Sequence, residues 1–164
     1  MKRRELEVTD PRQIRAILDS CKYLNLGLCE DGQPYVLPMN FGYTLEDGSL
    51  TLYLHGATDG YKYALMEKNP NVAFSMVCDV VPYSGEKPCQ YGNAYSSLMG
   101  RGTIRILRDP REKMDALSLF MHSQTGKDFS FNEKLVSIVN VMEIRVTEYS
   151  AKRRPLPERI AAGR

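Results

Sequence analysis

Two short segments of this chain carry residue types that could hold an anion. The first is Leu37-Pro38-Met39-Asn40-Phe41-Gly42-Tyr43, and the second is His55-Gly56-Ala57-Thr58-Asp59-Gly60-Tyr61-Lys62. Each reads as a strand running into an irregular turn. In the second, two Gly, a Thr, a His and a Lys stand where the turn opens a helix. Backbone N–H groups, the helix dipole and one ammonium can wrap a phosphate there. The pairing of the two segments predicts a phosphate-bearing cofactor lying across adjacent strands.

Each residue has a plainer alternative. Lys62 supplies a point charge to a phosphate, or is a solvated lysine on a helix. Gly56 and Gly60 allow the close backbone approach a phosphate needs, or are ordinary turn glycines. Asn40 offers a donor and an acceptor to a ring edge, or ends a strand. Pro38 inside a strand marks an edge or bulge, leaving backbone groups free for a ligand. His55 is a cofactor contact or a proton donor, because histidine changes charge near neutral pH. His122, within a helical pattern, reads as structural or surface. Cys89 lies in a loop near Lys87 and reads as a reactive or an inert thiol.

The elements that must position these residues form a mixed β and α pattern. Asp10-Pro11-Arg12-Gln13 starts a helix, with Ile14, Ile17 and Leu18 as its stripe. Tyr23 to Glu30, Gln33 to Tyr43 and Ser49 to His55 read as three strands. Asp31-Gly32 and Asp47-Gly48 supply the turns between them, which predicts an antiparallel meander. A short helix follows over 59–68 and stops at Asn69-Pro70. Strands are expected over 71–80, 95–107 and 139–149, with an irregular stretch over 82–93. Gly100 and Gly102 suggest a bulge or a close approach. Asp109-Pro110 and Ser130 to Glu133 start two further helices.

The predicted fold is therefore mainly β with peripheral α: a six-stranded antiparallel barrel, closed or nearly so. Its interior would be filled by side chains, so a ligand would bind outside, against strand faces or between subunits. The 164 residues read as a single domain, 1–164, with a basic C-terminal tail from about 152. That tail is solvated, or it reaches a cofactor phosphate or a partner subunit.

A net charge of +2 is too mild to argue for nucleic acid. No stretch approaches the roughly 20 apolar residues of a membrane span. The polar start MKRRELEVTD lacks the apolar core of a signal peptide, so a cytoplasmic location is expected. Cys21, Cys29, Cys78 and Cys89 have no close pairing and, with two His, no zinc spacing; free thiols and no metal site are expected.

Taken in order, these motifs resemble a known family. Relevant stretches are Leu26-Gly27-Leu28, Pro34 to Pro38, Asn40 to Tyr43, His55-Gly56-Ala57 with Gly60 and Lys62, Asn69 to Val72, Gly85 to Cys89, Tyr95 to Gly102, and Tyr149 to Lys152. Over nearly its whole length the chain resembles the pyridoxamine 5′-phosphate oxidase-like, flavin-binding split-barrel proteins. Within them it is most similar to the nitroimidazole-resistance proteins.

The resemblance implies a homodimer with two flavin sites at the subunit interface. FMN is the expected cofactor, with FAD as the alternative. Pro38, Met39, Asn40 and Phe41 would run along the isoalloxazine. His55, Gly56, Ala57 and Thr58, with Gly60 and Lys62, would hold the phosphate. Ser96 and Ser97 would help line the site, and Cys89 and Tyr91 would be contributed by the partner. His55 would be the catalytic residue of an FMN-dependent oxidoreductase passing electrons to a small acceptor such as a nitroaromatic. No GxGxxG follows a strand, so a nicotinamide donor would bind transiently or another flavoprotein would supply electrons. A non-catalytic flavin- or haem-binding carrier or sensor is the alternative.

Overall fold

Asp10 caps the first helix as its sequence pattern predicts, its carboxylate accepting from the Arg12 N–H at 2.9 Å. The computed structural model describes residues 4–158. Its strands are β1 (Glu7–Val8), β2 (Tyr23–Glu30), β3 (Gln33–Asn40), β4 (Gly42–Glu46), β5 (Ser49–Gly56), β6 (Asn71–Tyr83), β7 (Gly92–Leu107) and β8 (Asn140–Arg154). The helices are α1 (Pro11–Ser20), α2 (Tyr61–Lys68), α3 (Pro110–Thr125) and α4 (Glu133–Ser137).

All strand pairings are antiparallel, in the order β3-β2-β6-β7-β8-β5-β4, with β1 added to β8. The two ends of this path, β3 and β4, are consecutive in the chain. The sheet is thus nearly closed on itself by the main chain passing through Phe41. This corrects the expected meander. Gln33 to Tyr43 is not one strand with two neighbours: its first part pairs with β2, and the stretch after Phe41 pairs with β5. Eight strands replace the expected six, through this division and the short β1.

The inner face carries alternate residues, as period-2 strands require. Leu24, Leu26, Leu50, Leu52, Leu54, Leu98, Met142 and Ile144 are buried in one cluster with Ile17 and Leu18 of α1. These side chains pack the inner face as one continuous cluster. A second, smaller cluster lies outside the sheet, where Ala116 and Leu117 of α3 meet Val136, Val141 and Leu107.

Three boundaries differ from the sequence expectation. β6 continues past residue 80 because a bulge at Asp79, with φ 55°, absorbs the register shift and lets Val81 to Tyr83 pair with Ala94 to Gly92. The expected irregular stretch over 82–93 is therefore shorter. β8 runs to Arg154, so Lys152, Arg153 and Arg154 are strand residues opposite Ser97, Ser96 and Tyr95. Lys2, Arg3, Arg159 and Arg164 lie outside the described residues. The Gly102 bulge is present: a Cβ there would come 2.2 Å from the Arg145 carbonyl oxygen. No helix of the described residues is long and apolar enough to cross a membrane.

Candidate functional site

β5 ends at Gly56 and α2 begins at Tyr61, with Gly60 between them at φ 134°. Only glycine adopts that conformation readily. As an N-cap it has no side chain, so α2 lacks a side-chain cap, and of its first N–H groups the Tyr63 N–H goes to the Gly60 carbonyl at 3.1 Å. Lys62 turns back over this opening. Its Nζ lies 3.5 Å from where a Cβ would stand on Gly56, and 3.5 Å from one on Gly60. It also sits 4.5 Å from the Tyr63 ring centroid. Among the described residues no carboxylate pairs with it.

The turn is fastened from two sides. Tyr63 Oη donates to the Ala57 carbonyl at 2.6 Å, and Asn140 Nδ2 of β8 donates to the Thr58 carbonyl at 3.0 Å. A Cβ on Gly56 would come 2.7 Å from Tyr63 Oη, so only glycine fits against that phenol. Burial pushes the Tyr63 phenol pKa up, which keeps it a donor. The turn thus sets the first N–H groups of α2, of which Tyr63 N–H bonds the Gly60 carbonyl at 3.1 Å, beside one ammonium and two glycine backbones, donors of the kind that could hold a phosphate.

His55 occupies the outer face of β5. Leu50, Leu52 and Leu54 point inward, so His55 points outward, where its ring meets Phe120 of α3 at 4.5 Å between centroids. Its Nδ1 is the one buried side-chain polar atom without a partner among the described residues. Burial pushes its pKa down, which favours the neutral imidazole. A buried, unpaired ring nitrogen is costly unless something binds it. α3 reaches this face because Gly42 lets it in: a Cβ on Gly42 would come 2.3 Å from Phe120 Cα.

Gly56, Gly60 and Lys62 come together at the turn with Ala57 and Thr58, whereas the His55 side chain, one position earlier on β5, points to the opposite face and packs on Phe120. The other candidates are placed as follows. Pro38 is exposed and Met39 half-buried on β3, the edge of the sheet path. Asn40 is exposed, and its Nδ2 donates to the Lys22 carbonyl at 3.0 Å, leaving its oxygen free of that bond. Phe41 ends that stretch with its side chain turned inward. Its side chain is 1 % exposed in the main core, and its carbonyl accepts from Gln124 Nε2 at 2.7 Å. The chain turns at Phe41, and the turn drives the ring inward.

Ser96 and Ser97 point to opposite faces, as adjacent strand residues must. Ser96 is buried and accepts from Arg153 Nε at 3.1 Å, whereas Ser97 faces outward. Cys89 and Tyr91 are exposed in the β6–β7 connection. That connection lies at the far end of β8 from the turn: Gly56 pairs with Asn140, whereas Tyr95 pairs with Arg154. At ~3.3 Å per residue the separation along β8 is on the order of 45 Å.

A second feature was not read from the sequence. The outer face of β3, β2, β6 and β7 is uncovered and hollowed, with a volume of about 1230 Å³. Gly27, Ala73, Ser75 and Ser97 form its floor, and Val36 and Met99 rise from it, 65 % and 57 % exposed. Tyr63, Asn140 and Phe120 were also missed as site residues. Asn140 stands 82 positions from Thr58, and no local pattern marks such a contact.

Comparison with known proteins adds three findings. The family model described as pyridoxamine 5′-phosphate oxidase matches residues 10–153. Among solved structures, a candidate 5-nitroimidazole antibiotic resistance protein from Bacteroides thetaiotaomicron is 30% identical, with a TM-score of 0.76, covering 90% of this chain and 86% of its own. The flavocytochrome Anf3 from Azotobacter vinelandii (20% identity, TM-score 0.76) covers 99% of this chain and 77% of its own. The FAD and haem binding protein from Mycobacterium smegmatis (19% identity, TM-score 0.74) covers 96% and 80%. These last two are similar in fold. No curated protein matches.

Proposed function

The chain belongs to the pyridoxamine 5′-phosphate oxidase family, and from that membership we propose that it is an FMN-dependent oxidoreductase that reduces small nitroaromatic compounds. The observation that carries the reading is the Gly56–Lys62 turn, with its uncapped helix start and its unpaired ammonium. The 30% identity to a protein described as a nitroimidazole-resistance protein supports the choice of acceptor.

When bound, flavin supplies the hydride and electron transfer; the chain's residues bind it, orient it and manage protons. Lys62 and the first N–H groups of α2 would hold the phosphate. β3 would present Pro38 and the Asn40 oxygen along the ring, with Met39, whose side chain turns to the core, adding backbone. His55 precedes the turn on β5, its unpaired Nδ1 buried where its ring meets Phe120. Reduction of a nitro group consumes protons as well as electrons, and His55 is the proton source in this reading. Its lowered pKa keeps it neutral at neutral pH, so it serves there as a hydrogen-bonding group and transfers a proton more readily as pH falls.

The site is completed by a second copy of the chain. The inner face is packed as one cluster, and the hollowed outer face adjoins β3. Cys89 and Tyr91 reach the turn from the partner subunit, since within one chain they stand at the opposite end of β8.

Stopped-flow reoxidation of the anaerobically reduced protein tests the reading. A nitroimidazole should speed reoxidation over the buffer control, and His55→Ala should slow it while flavin stays bound. If the acceptor never speeds reoxidation, the chain is a carrier or sensor. An absorption spectrum then tells flavin bands from a haem Soret band.

A further inference from the structure

Cys21 and Cys78 show no pairing in sequence, yet the fold sets their thiols within hydrogen-bonding reach of one another. Cys21 is the C-cap of α1, its N–H donating to the Ile17 carbonyl at 3.1 Å. Cys78 arrives from β6, and its thiol donates to that same Ile17 oxygen at 3.8 Å. One carbonyl in the last turn of α1 thus fixes both residues. Cys21 is buried in the main core, and Cys78, half-buried, packs against that core. Both are free thiols.

The backbone around the pair has room to adjust. Cys78 is the last residue of β6 to pair before the bulge. The ladder resumes only at Val81, and Asp79 between them has φ 55°. A shift of Cys78 therefore strains the ladder on one side only. Cys21 follows the last helical residue in an extended conformation, with φ −82° and ψ 131°. Bringing two sulfurs from contact to bond length thus moves two element ends and the middle of neither. Burial pushes the pKa of both thiols up, and the Asp79 carboxylate, 3.6 Å from Cys78 Sγ, adds to it. Neither is a fast nucleophile. What the pair offers instead is proximity. Once one sulfur is held in a mixed disulfide, the other attacks within the same molecule.

We propose that Cys21 and Cys78 form a dithiol site that a small-molecule disulfide of the glutathione type oxidises to a cystine, clasping α1 to β6. Cys78, the less buried of the two, reacts first. Its sulfur attacks one sulfur of the small disulfide, that S–S bond breaks, and one small thiol leaves. Cys21 Sγ then attacks Cys78 Sγ and expels the second small thiol. The two cysteine protons and two electrons pass to the two thiols released. The clasp lands beside a junction. The carbonyl of Lys22, next to Cys21, accepts from Asn40 Nδ2 at the end of β3 and from Gln124 Nε2 of α3. The cystine therefore anchors the chain where the ends of α1, β3 and α3 meet.

Incubating the native full chain with excess oxidised glutathione tests this. After free thiols are alkylated, peptide mapping should find Cys21 joined to Cys78, with two hydrogens lost from the pair. Because the cross-link constrains the unfolded chain, it should raise the melting temperature by roughly 5–10 °C, and dithiothreitol should reverse the rise. Cys78→Ser and Cys21→Ala should show no such rise under the same treatment. Alkylation of both thiols in the native chain, or glutathione retained on Cys78, overturns the proposal. So does a cross-link that leaves the melting temperature unchanged, or a rise that persists in either variant.

Discussion

Lys62 is the residue on which the anion site turns. Its ammonium lies over two glycines and an aromatic ring, with no carboxylate of the described residues to neutralise it. Removing one charge-assisted contact to a phosphate costs on the order of 1.5–3 kcal/mol. Lys62→Ala should therefore weaken FMN by roughly 10- to 100-fold and riboflavin, which lacks the phosphate, by far less. Equal losses in a fluorescence titration would show that Lys62 serves something other than the phosphate. The residue types of this turn were readable in sequence because glycines, a threonine and a lysine cluster within eight positions. Its fastenings were not, since Asn140 arrives from a distant strand and no local pattern aims the Tyr63 hydroxyl at the Ala57 carbonyl. His55 gives a second prediction. Its folded pKa lies below its ordinary value because burial disfavours the charged ring. The unfolded chain thus takes up a proton before the folded one does. Stability is fully present above the unfolded value, about 6.5, and falls as pH drops through it toward the folded pKa. Melting temperatures between pH 8 and pH 5 should fall more steeply for the native chain than for His55→Gln. Parallel slopes would mean that His55 is already hydrogen-bonded in its charged form.

Among the elements, hairpins were legible and the corner was not. Asp31-Gly32 and Asp47-Gly48 adopt positive φ at both positions, 48° and 81°, then 47° and 80°, as tight two-residue hairpins demand. Those dipeptides announce themselves in sequence. The break at Phe41 does not. Leu37 to Tyr43 keeps a strand-like composition through it, and the division between β3 and β4 is set by pairing with two distant partners, β2 and β5. Gly42 could be read as one more turn glycine. Its actual task is to admit α3, whose Phe120 backbone would clash with any Cβ there. Gly42→Ala must push α3 off β4, because the opposing atoms are backbone and cannot rotate away. The expected loss is about 1–3 kcal/mol, in the range of overpacked contacts. The displacement would also move Phe120 from His55, so flavin affinity should fall along with the melting temperature. A fully stable Gly42→Ala protein with normal flavin binding would mean that α3 is not rigidly seated.

At the scale of the whole molecule, the outer sheet face and the anion turn call for the same explanation. The sheet leaves Val36 and Met99 exposed around a floor of small residues, and larger exposed apolar patches mark interaction sites. A second copy seated there by a two-fold axis would use the same surface on both chains. It would also carry its β6–β7 connection toward the first chain's turn, which that connection cannot reach within one chain. Assembly and cofactor binding should then fail together. Ala73 is exposed, sits between Gly27 and Arg101 in the ladder, and packs no core. Ala73→Arg would place a second guanidinium beside Arg101 at the centre of the face, twice over in a symmetric pair, without touching the interior. Light scattering of the native flavin-loaded protein should give about twice the 18.6 kDa chain mass. The Ala73→Arg protein should give a single chain mass, keep its melting transition and lose flavin. A monomeric variant that keeps its flavin would show that each chain holds a whole site. A variant that stays dimeric with normal flavin content would place the interface on another surface.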